Sequence, residues 1–227
     1  PALASEFGIG HSTLLVSGGH DQPCAALGAG VVKEGRAVVS TGTAEVCSTA
    51  FFEPALNSSM FSAYYPCYIH AKPDMYFTFS LNHIGGLLYK WFRDTFCYEE
   101  IVEASRTAND VYAIVDSRLP KKPGTVMVLP HFNGSGTPWC DMNSKGAIVG
   151  ITMATNKYDI ARAILESLTF ELRINLETMQ KAGINIKELV AVGGGAKSTL
   201  WLQLKADILK RKIITCLLYT SPSPRDS

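Results

Sequence analysis

The chain has 227 residues, of which 47% are hydrophobic and 18% charged, and its 21 Lys and Arg against 20 Asp and Glu give a net charge of +1. This hydrophobic share can build a core and excludes a mainly disordered chain. The near-neutral charge argues against nucleic acids and anionic membranes as partners. No apolar run approaches the ~20 residues of a membrane-spanning helix, and the N-terminus lacks the basic and apolar regions of a signal peptide.

Six cysteines are scattered along the chain, at Cys24, Cys47, Cys67, Cys97, Cys140 and Cys216. No pair has the C-x-x-C spacing of a zinc site, and no His lies at ligand spacing to them. A disulfide framework is the weaker interpretation, because spaced cysteines in a chain of balanced charge are typical of reduced, mostly buried thiols. The pattern predicts a cytoplasmic protein without a metal site of its own.

Short strand patterns alternate with helical ones along the chain. The N-terminal part predicts, in chain order, a buried strand at 13–17, a closely packed helix at 23–30, a hairpin of 37–40 and 45–50 with its tip at 41–44, a strand-like aromatic segment at 61–79 and a helix at 82–96. The C-terminal part predicts a strand at 125–129, a Gly/Pro loop at 131–141, a strand at 148–153, a helix at 158–181, a strand at 188–192 and a helix from Ser198 to Leu209. This order predicts an α/β domain with a mixed sheet.

Two glycine turns could approach a ligand. Gly194 and Gly195 follow a predicted strand and precede a helix, where backbone N–H groups can face an anion. The hairpin tip at 41–44 can offer hydroxyls and N–H groups to phosphate oxygens. Neither turn has the spacing of a Walker A loop. Taken alone, each is also explained as an ordinary tight turn.

Asp21 stands at the start of the small-residue helix and has two compatible interpretations. It could act as a general base that removes a proton from a hydroxyl group. It could also cap the helix that is predicted to begin at Pro23. A carboxylate at a helix N-terminus is stabilised in its charged form, which suits both roles. The aromatic residues of 61–79, together with Trp91, could stack on a sugar, but core packing is the favoured interpretation.

Four stretches, in this order and spacing, resemble the C-terminal domain of the FGGY family of carbohydrate kinases, which includes xylulokinase, fuculokinase and glycerol kinase. They are GGHDQPCAALGAGVV at 18–32, VVSTGTAEV at 38–46, the signature from Gly146 to Glu166, and LVAVGGGAKSTLWLQLKADIL at 189–209. The resemblance implies an actin-like, ribonuclease-H-like α/β domain, whose mixed sheet is flanked by helices. It further implies a second domain that closes with this one over ATP and a sugar.

The resemblance also implies roles for individual residues. Asp21 matches the family's catalytic base, and Gln22 beside it would contact the sugar. Gly42 and Thr43 would hold the β- and γ-phosphates. The implied ATP-binding residues together are Thr41, Gly42, Thr43, Gly194, Gly195 and Ser198. No residue of this chain is assigned to a metal, since the Mg²⁺-linked carboxylate belongs to the family's N-terminal domain.

The resemblance covers about residues 5 to 215, and it predicts one kinase domain over 1–215 that is incomplete at its C-terminal end. The last residues, 216–227, read CLLYTSPSPRDS and resemble a translated sequencing adapter, so we expect them to be foreign to the fold. The chain on its own is expected to be inactive, because half of the cleft would be missing. The loop from Asn133 to Trp139 differs from the Gly-Glu-Arg-Thr-Pro loop of many xylulokinases, which argues against xylulose as the substrate.

The expected function is therefore ATP-dependent phosphorylation of a sugar or polyol hydroxyl, with a homodimer of the full-length protein left open. One alternative is a non-catalytic actin-like nucleotide sensor, which would use the same glycines without a base at Asp21. A second alternative is a plain α/β module with structural glycine turns only.

Overall fold

The computed structural model describes residues 2–10, 12–13 and 19–215. Apart from residue 13, the predicted strand at 13–17 lies outside these residues. The adapter-like segment at 216–227 lies wholly outside them. The strands of the described part are β1 (Arg36–Thr41), β2 (Glu45–Phe51), β3 (Tyr68–Ile69), β4 (Tyr76–Asn82), β5 (Met127–Leu129), β6 (Ala147–Val149), β7 (Glu188–Val192) and β8 (Lys212–Thr215). Six of them form one sheet in the order β3-β4-β2-β1-β7-β8, and β5 pairs with β6 in a second, two-stranded sheet.

The helices of the described part are α1 (Ala2–Glu6), α2 (Asp21–Gly28), α3 (Ser58–Ser62), α4 (Gly86–Phe96), α5 (Tyr98–Thr107), α6 (Val111–Arg118), α7 (Lys157–Lys181) and α8 (Thr199–Leu209). None of them is long and apolar enough to cross a membrane. A short 3₁₀ turn, Gly194–Lys197, connects β7 to α8. The predicted α/β architecture with a mixed sheet flanked by helices is confirmed.

The register of the main sheet places two turns side by side. β1 and β2 form the predicted antiparallel hairpin, in which Thr41 pairs with Glu45. β1 also pairs in parallel with β7, where Ser40 lies beside Val192. Because parallel strands end at the same edge of a sheet, the hairpin tip after Thr41 meets the glycine turn that follows β7.

The long helix α7 joins two parts of the core. Its middle residues, including Ile164 and Leu168, pack with Leu88 of α4 and Trp201 of α8. Its later residues pack against the sheet, and α2 covers a different set of sheet residues, among them Val38. Because Ala37 and Val39 face α7 while Val38 faces α2, the two helices lie on opposite faces of the sheet.

Several predicted boundaries are wrong. Asn82 ends β4 opposite Glu45, so the predicted helix at 82–96 begins only at Gly86. The aromatic segment at 61–79 holds the end of α3 as well as β3 and β4, and Phe61 is exposed whereas Phe77 is buried. The strand at 148–153 is shorter, as Ala147–Val149.

The start of α2 also differs from the prediction. The helix begins at Asp21 and not at Pro23, and His20 occupies the N-cap position. The ring nitrogen Nδ1 of His20 accepts a hydrogen bond from the backbone N–H of Gln22 at 3.3 Å. Asp21 therefore lies in the first turn, where its carboxylate accepts from the same N–H at 2.7 Å. The expectation of an Asp21 N-cap is corrected, although a first-turn acid still interacts favourably with the helix dipole.

A buried carboxylate connects α5, α6 and α7. Glu100 is fully buried and accepts hydrogen bonds from Tyr158 and Lys157 and from Arg118, the last at 3.0 Å. Burial alone raises the pKa of Glu100, but the hydrogen bonds from Tyr158 and Lys157 outweigh it and lower the pKa to about 2. The charged form is therefore stabilised by folding.

This carboxylate predicts a pH-dependent stability. A depressed pKa contributes stability above the unfolded pKa of about 4.3, and that contribution is lost as the pH falls towards the folded value. We expect the free energy of unfolding, measured by urea denaturation, to fall between about pH 5 and pH 2. The Glu100→Gln variant should be less stable at pH 7 and show a flatter pH profile. Equal pH slopes in both proteins would contradict this assignment.

Candidate functional site

A cleft of about 780 Å³ opens at the edge of the sheet where β1 and β7 end. It is lined by the hairpin tip, the glycine turn, the start of α8 and one side each of α4 and α6. All six residues expected to bind ATP line it, namely Thr41, Gly42, Thr43, Gly194, Gly195 and Ser198. The fold thus brings together two glycine turns about 150 residues apart in the chain. Their contact with a nucleotide stays a prediction.

The hairpin tip is fixed against the start of α4. The N–H groups of Gly85 and Gly86 donate to the carbonyls of Thr43 and Gly42, each at 2.7 Å. A Cβ atom on Gly85 would lie 2.7 Å from the backbone carbonyl of Ala44, so only glycine permits this approach. Gly42 itself has no protein atom within 4 Å of its Cβ position. The tip is therefore rigidly attached on one side and open on the other.

The glycine turn packs on the same hairpin. Gly193 has a φ of +84°, and a Cβ there would lie 2.7 Å from the carbonyl oxygen of Thr41. A Cβ on Gly195 would lie 2.7 Å from the methyl carbon of Thr41. Gly194, between them, has no protein atom within 4 Å of its Cβ position. The outer glycines thus serve packing, and Gly194 borders open space in the cleft.

The hydroxyl groups of Thr41 and Ser198 are engaged within the protein. Thr41 donates to Glu45 at 2.7 Å and accepts from Lys205 at 2.8 Å. Ser198 accepts from the Trp201 N–H as the N-cap of α8, as predicted, and donates to Asp116 at 2.6 Å. Any contribution of these two residues to a ligand must therefore come mainly from their backbone or their position.

The sides of the cleft supply charged and aromatic side chains that were not among the predicted ATP-binding residues. Lys90, Arg93 and Lys197 line it, and cations of this kind attract phosphate groups. Lys90 and Arg93 also form ion pairs with Asp94, at 2.6 Å and 2.5 Å, which offset part of their charge. The Arg93 guanidinium lies 5.0 Å from the centre of the Tyr112 ring. No motif marks these residues, because each belongs to an ordinary helix or turn.

Asp116 connects α6 to the two helices around it. Tyr89 of α4 donates to its Oδ1 at 2.7 Å, while Ser198 donates to its Oδ2. Burial raises the pKa of Tyr89, and the neighbouring carboxylate raises it further, so the phenol stays neutral and donates. Both oxygens of Asp116 are thereby occupied by protein groups.

The carboxylates of the cleft do not fit a Mg²⁺ site. Asp116 uses both oxygens as described, and Asp110 accepts from the Tyr112 N–H as the N-cap of α6. Within residues 2–10, 12–13 and 19–215, no group of three or more His, Cys, Asp or Glu could hold a metal ion.

Asp21 and Gln22 do not line the cleft. They lie in the first turn of α2, and the Asp21 side chain is 82% exposed. Its carboxylate is 3.1 Å from Nδ1 of His20. A proton acceptor needs access to its substrate, and the exposure of Asp21 leaves that access open. The catalytic and substrate-binding roles of these two residues stay predictions.

Comparison with known proteins gives the chain its family. Residues 37–217 match the model described as the FGGY family of carbohydrate kinases, C-terminal domain. A xylulose kinase of Bacillus subtilis is 31% identical over 214 residues, which are 94% of this chain and 41% of that protein. A glycerol kinase of Saccharolobus islandicus is 40% identical over 132 residues, 58% of this chain and 25% of that protein.

Solved structures of kinases resemble this chain in fold. The crystal structure of a "xyloylose kinase" from Brucella ovis has a TM-score of 0.78 at 28% identity, over 94% of this chain and 42% of that one. The chain spans about two fifths of the length of the Bacillus subtilis and Brucella ovis proteins. The expected actin-like fold is confirmed, and the comparisons give no support to a non-catalytic sensor. The chain belongs to the FGGY family of carbohydrate kinases and carries the C-terminal domain of that family.

Proposed function

We propose that this chain forms the nucleotide-facing half of an ATP-dependent kinase that phosphorylates a hydroxyl group of a sugar or polyol. The observation that carries the proposal is the convergence of the hairpin tip and the glycine turn in one cleft, which Lys197 also lines. Gly42 and Thr43 would hold the β- and γ-phosphates, and Gly194 and Gly195 would approach the adenosine and α-phosphate. Phosphoryl transfer depends chiefly on positioning and charge neutralisation, which these groups supply.

Asp21 would act as the general base in this reaction. Its exposed carboxylate would accept the proton of the sugar hydroxyl as that oxygen attacks the γ-phosphorus, and ADP would leave. Gln22, next to it, would hydrogen-bond the sugar. The ATP would be used with Mg²⁺, bound by carboxylates outside this chain. A cytoplasmic location is part of the proposal, because the five cysteines of the described part are all free thiols.

The test uses the full-length protein that contains this chain, incubated with ATP, Mg²⁺ and a panel of ketoses and polyols. We expect at least one sugar to raise ADP release well above the sugar-free rate, with a phosphorylated sugar as the second product. A protein that binds ATP but phosphorylates no member of the panel would favour the sensor. A protein that binds no nucleotide would favour purely structural turns.

A further inference from the structure

Two charged side chains, Glu45 and Lys205, are buried next to the hairpin tip, with only 1% and 4% of their surface exposed. The ammonium group of Lys205, on α8, donates to the carboxylate of Glu45, the first residue of β2. Neither side chain lines the cleft. An apolar pair of similar volume is often at least as stabilising as a buried ion pair. Stability alone therefore does not account for this pair.

Thr41 is the residue that both charged groups hold. Its hydroxyl donates to Glu45 at 2.7 Å and accepts from Lys205 at 2.8 Å, so its side-chain rotamer is determined from two directions. The Lys205 ammonium also lies 4.7 Å from the centre of the Trp201 ring, which fixes it on the other side. The pair thereby connects the end of β1, the start of β2 and the helix that follows the glycine turn.

Thr41 is also the contact between the two turns of the cleft. Its methyl carbon lies 2.7 Å from the position that a Cβ atom would take on Gly195. Its carbonyl oxygen lies 2.7 Å from the Cβ position of Gly193. A different rotamer of Thr41 would take its methyl group away from Gly195 and change the packing between the two turns. Gly42 and Thr43, which directly follow, would shift with it.

We propose that Glu45 and Lys205 are positioning residues that hold Thr41 and thereby set the spacing of the hairpin tip and the glycine turn around the phosphates of a nucleotide. The inference rests on the proposed function, because it takes a nucleoside polyphosphate as the ligand of the cleft. Preorganised spacing strengthens binding because the turns need not be ordered when the ligand arrives. The effect should therefore be specific to the phosphates and small for the nucleoside.

The experiment replaces the pair as a whole, in the Glu45→Leu, Lys205→Met double variant of the full-length protein that contains this chain. The net charge of the chain is unchanged, and apolar replacement of both partners avoids an unpaired buried charge. We expect the dissociation constant for ADP, measured by calorimetry, to rise about tenfold or more. The dissociation constant for adenosine should change by less than about twofold.

A matched control replaces an ion pair at the other end of β1, the strand that ends in Thr41. Arg36 and Glu188 form an ion pair at 2.7 Å between β1 and β7, about 16 Å from Thr41 at 3.3 Å per residue. The Arg36→Met, Glu188→Leu variant should bind ADP as the unmodified chain does. If the Glu45 and Lys205 variant fails to fold, Thr41→Val removes the link while keeping the pair, and the same loss specific to ADP is expected.

Two results would overturn the inference. One is a folded pair variant that binds ADP as tightly as the unmodified chain. The other is an equal loss for ADP and adenosine, which would indicate a general structural role. An unmodified full-length protein that binds no ADP would instead overturn the proposed function on which the inference rests, so that failure is distinguishable from these two.

Discussion

Replacing Asp21 with Asn in the full-length protein should lower kcat for the best sugar by about 10²–10⁴-fold, the usual contribution of a general base. The amide is nearly the same size as the carboxylate and can still accept from the Gln22 N–H in the first turn of α2. It cannot take a proton from a hydroxyl group. The KM for ATP should therefore stay nearly constant while kcat falls.

A matched control is Glu99→Gln, because Glu99 is also a first-turn acid and is 81% exposed. This variant should keep its turnover, since Glu99 lies on α5, accepts a hydrogen bond from Lys157 and does not line the cleft. Steady-state kinetics of the three proteins provide the measurement. An Asp21→Asn enzyme that keeps more than half of its turnover would remove Asp21 from the mechanism.

Replacing Gly194 with Val should weaken ADP binding by about 100-fold or more, which is about 2.7 kcal/mol. The space at its Cβ position is free of protein atoms, so the side chain would project into open volume of the cleft and take room from the nucleotide. The fold should tolerate the change, because the position lies outside the main helices and its φ is not in the left-handed region. Calorimetric titration with ADP and a thermal melt measure both effects.

The control for Gly194 is Gly28→Val, at the end of α2. That position also has no protein atom within 4 Å of its Cβ, and it does not line the cleft. It should bind ADP normally. Gly195→Val offers the contrast, because its Cβ would meet Thr41 at 2.7 Å and Trp201 at 2.9 Å, so it should lower the melting temperature as well. A Gly194→Val chain with unchanged ADP affinity would contradict the assignment of the cleft.

The sequence predicted best those elements whose ends carry a local signal. The end of α7 is marked by Gly183, which adopts the expected positive φ of +95°, and α8 begins after the N-cap Ser198. The helices α5 and α6 were missed. α4 passes into α5 through the single residue Cys97, which makes no side-chain cap. Neither glycine nor proline stands at this boundary, so the sequence carries no signal for it. β8 follows Lys210, which adopts a left-handed φ of +52° where glycine is the usual signal.

The same distinction applies to the site. Glycine turns are visible in a sequence because they interrupt predicted elements: the hairpin tip lies between two strands, and the turn after β7 lies between a strand and a helix. Glu45 and Lys205 were not found, because they are 160 positions apart and Lys205 has the composition of an ordinary helix residue. Asp116 was not found either, because it lies 82 positions from Ser198, which donates to it, and no motif marks it. Such pairs exist only once the topology brings the strands and helices together.

The central claim is that the hairpin tip and the glycine turn together bind the phosphates of a nucleotide. A crystal structure of the full-length protein with a non-hydrolysable ATP analogue tests it most directly. We predict terminal phosphate oxygens beside Gly42 and at about 3 Å from the backbone nitrogen of Thr43, with the adenosine against Gly194. An analogue bound elsewhere on the chain, or a cleft that stays empty at saturating analogue, would contradict the claim.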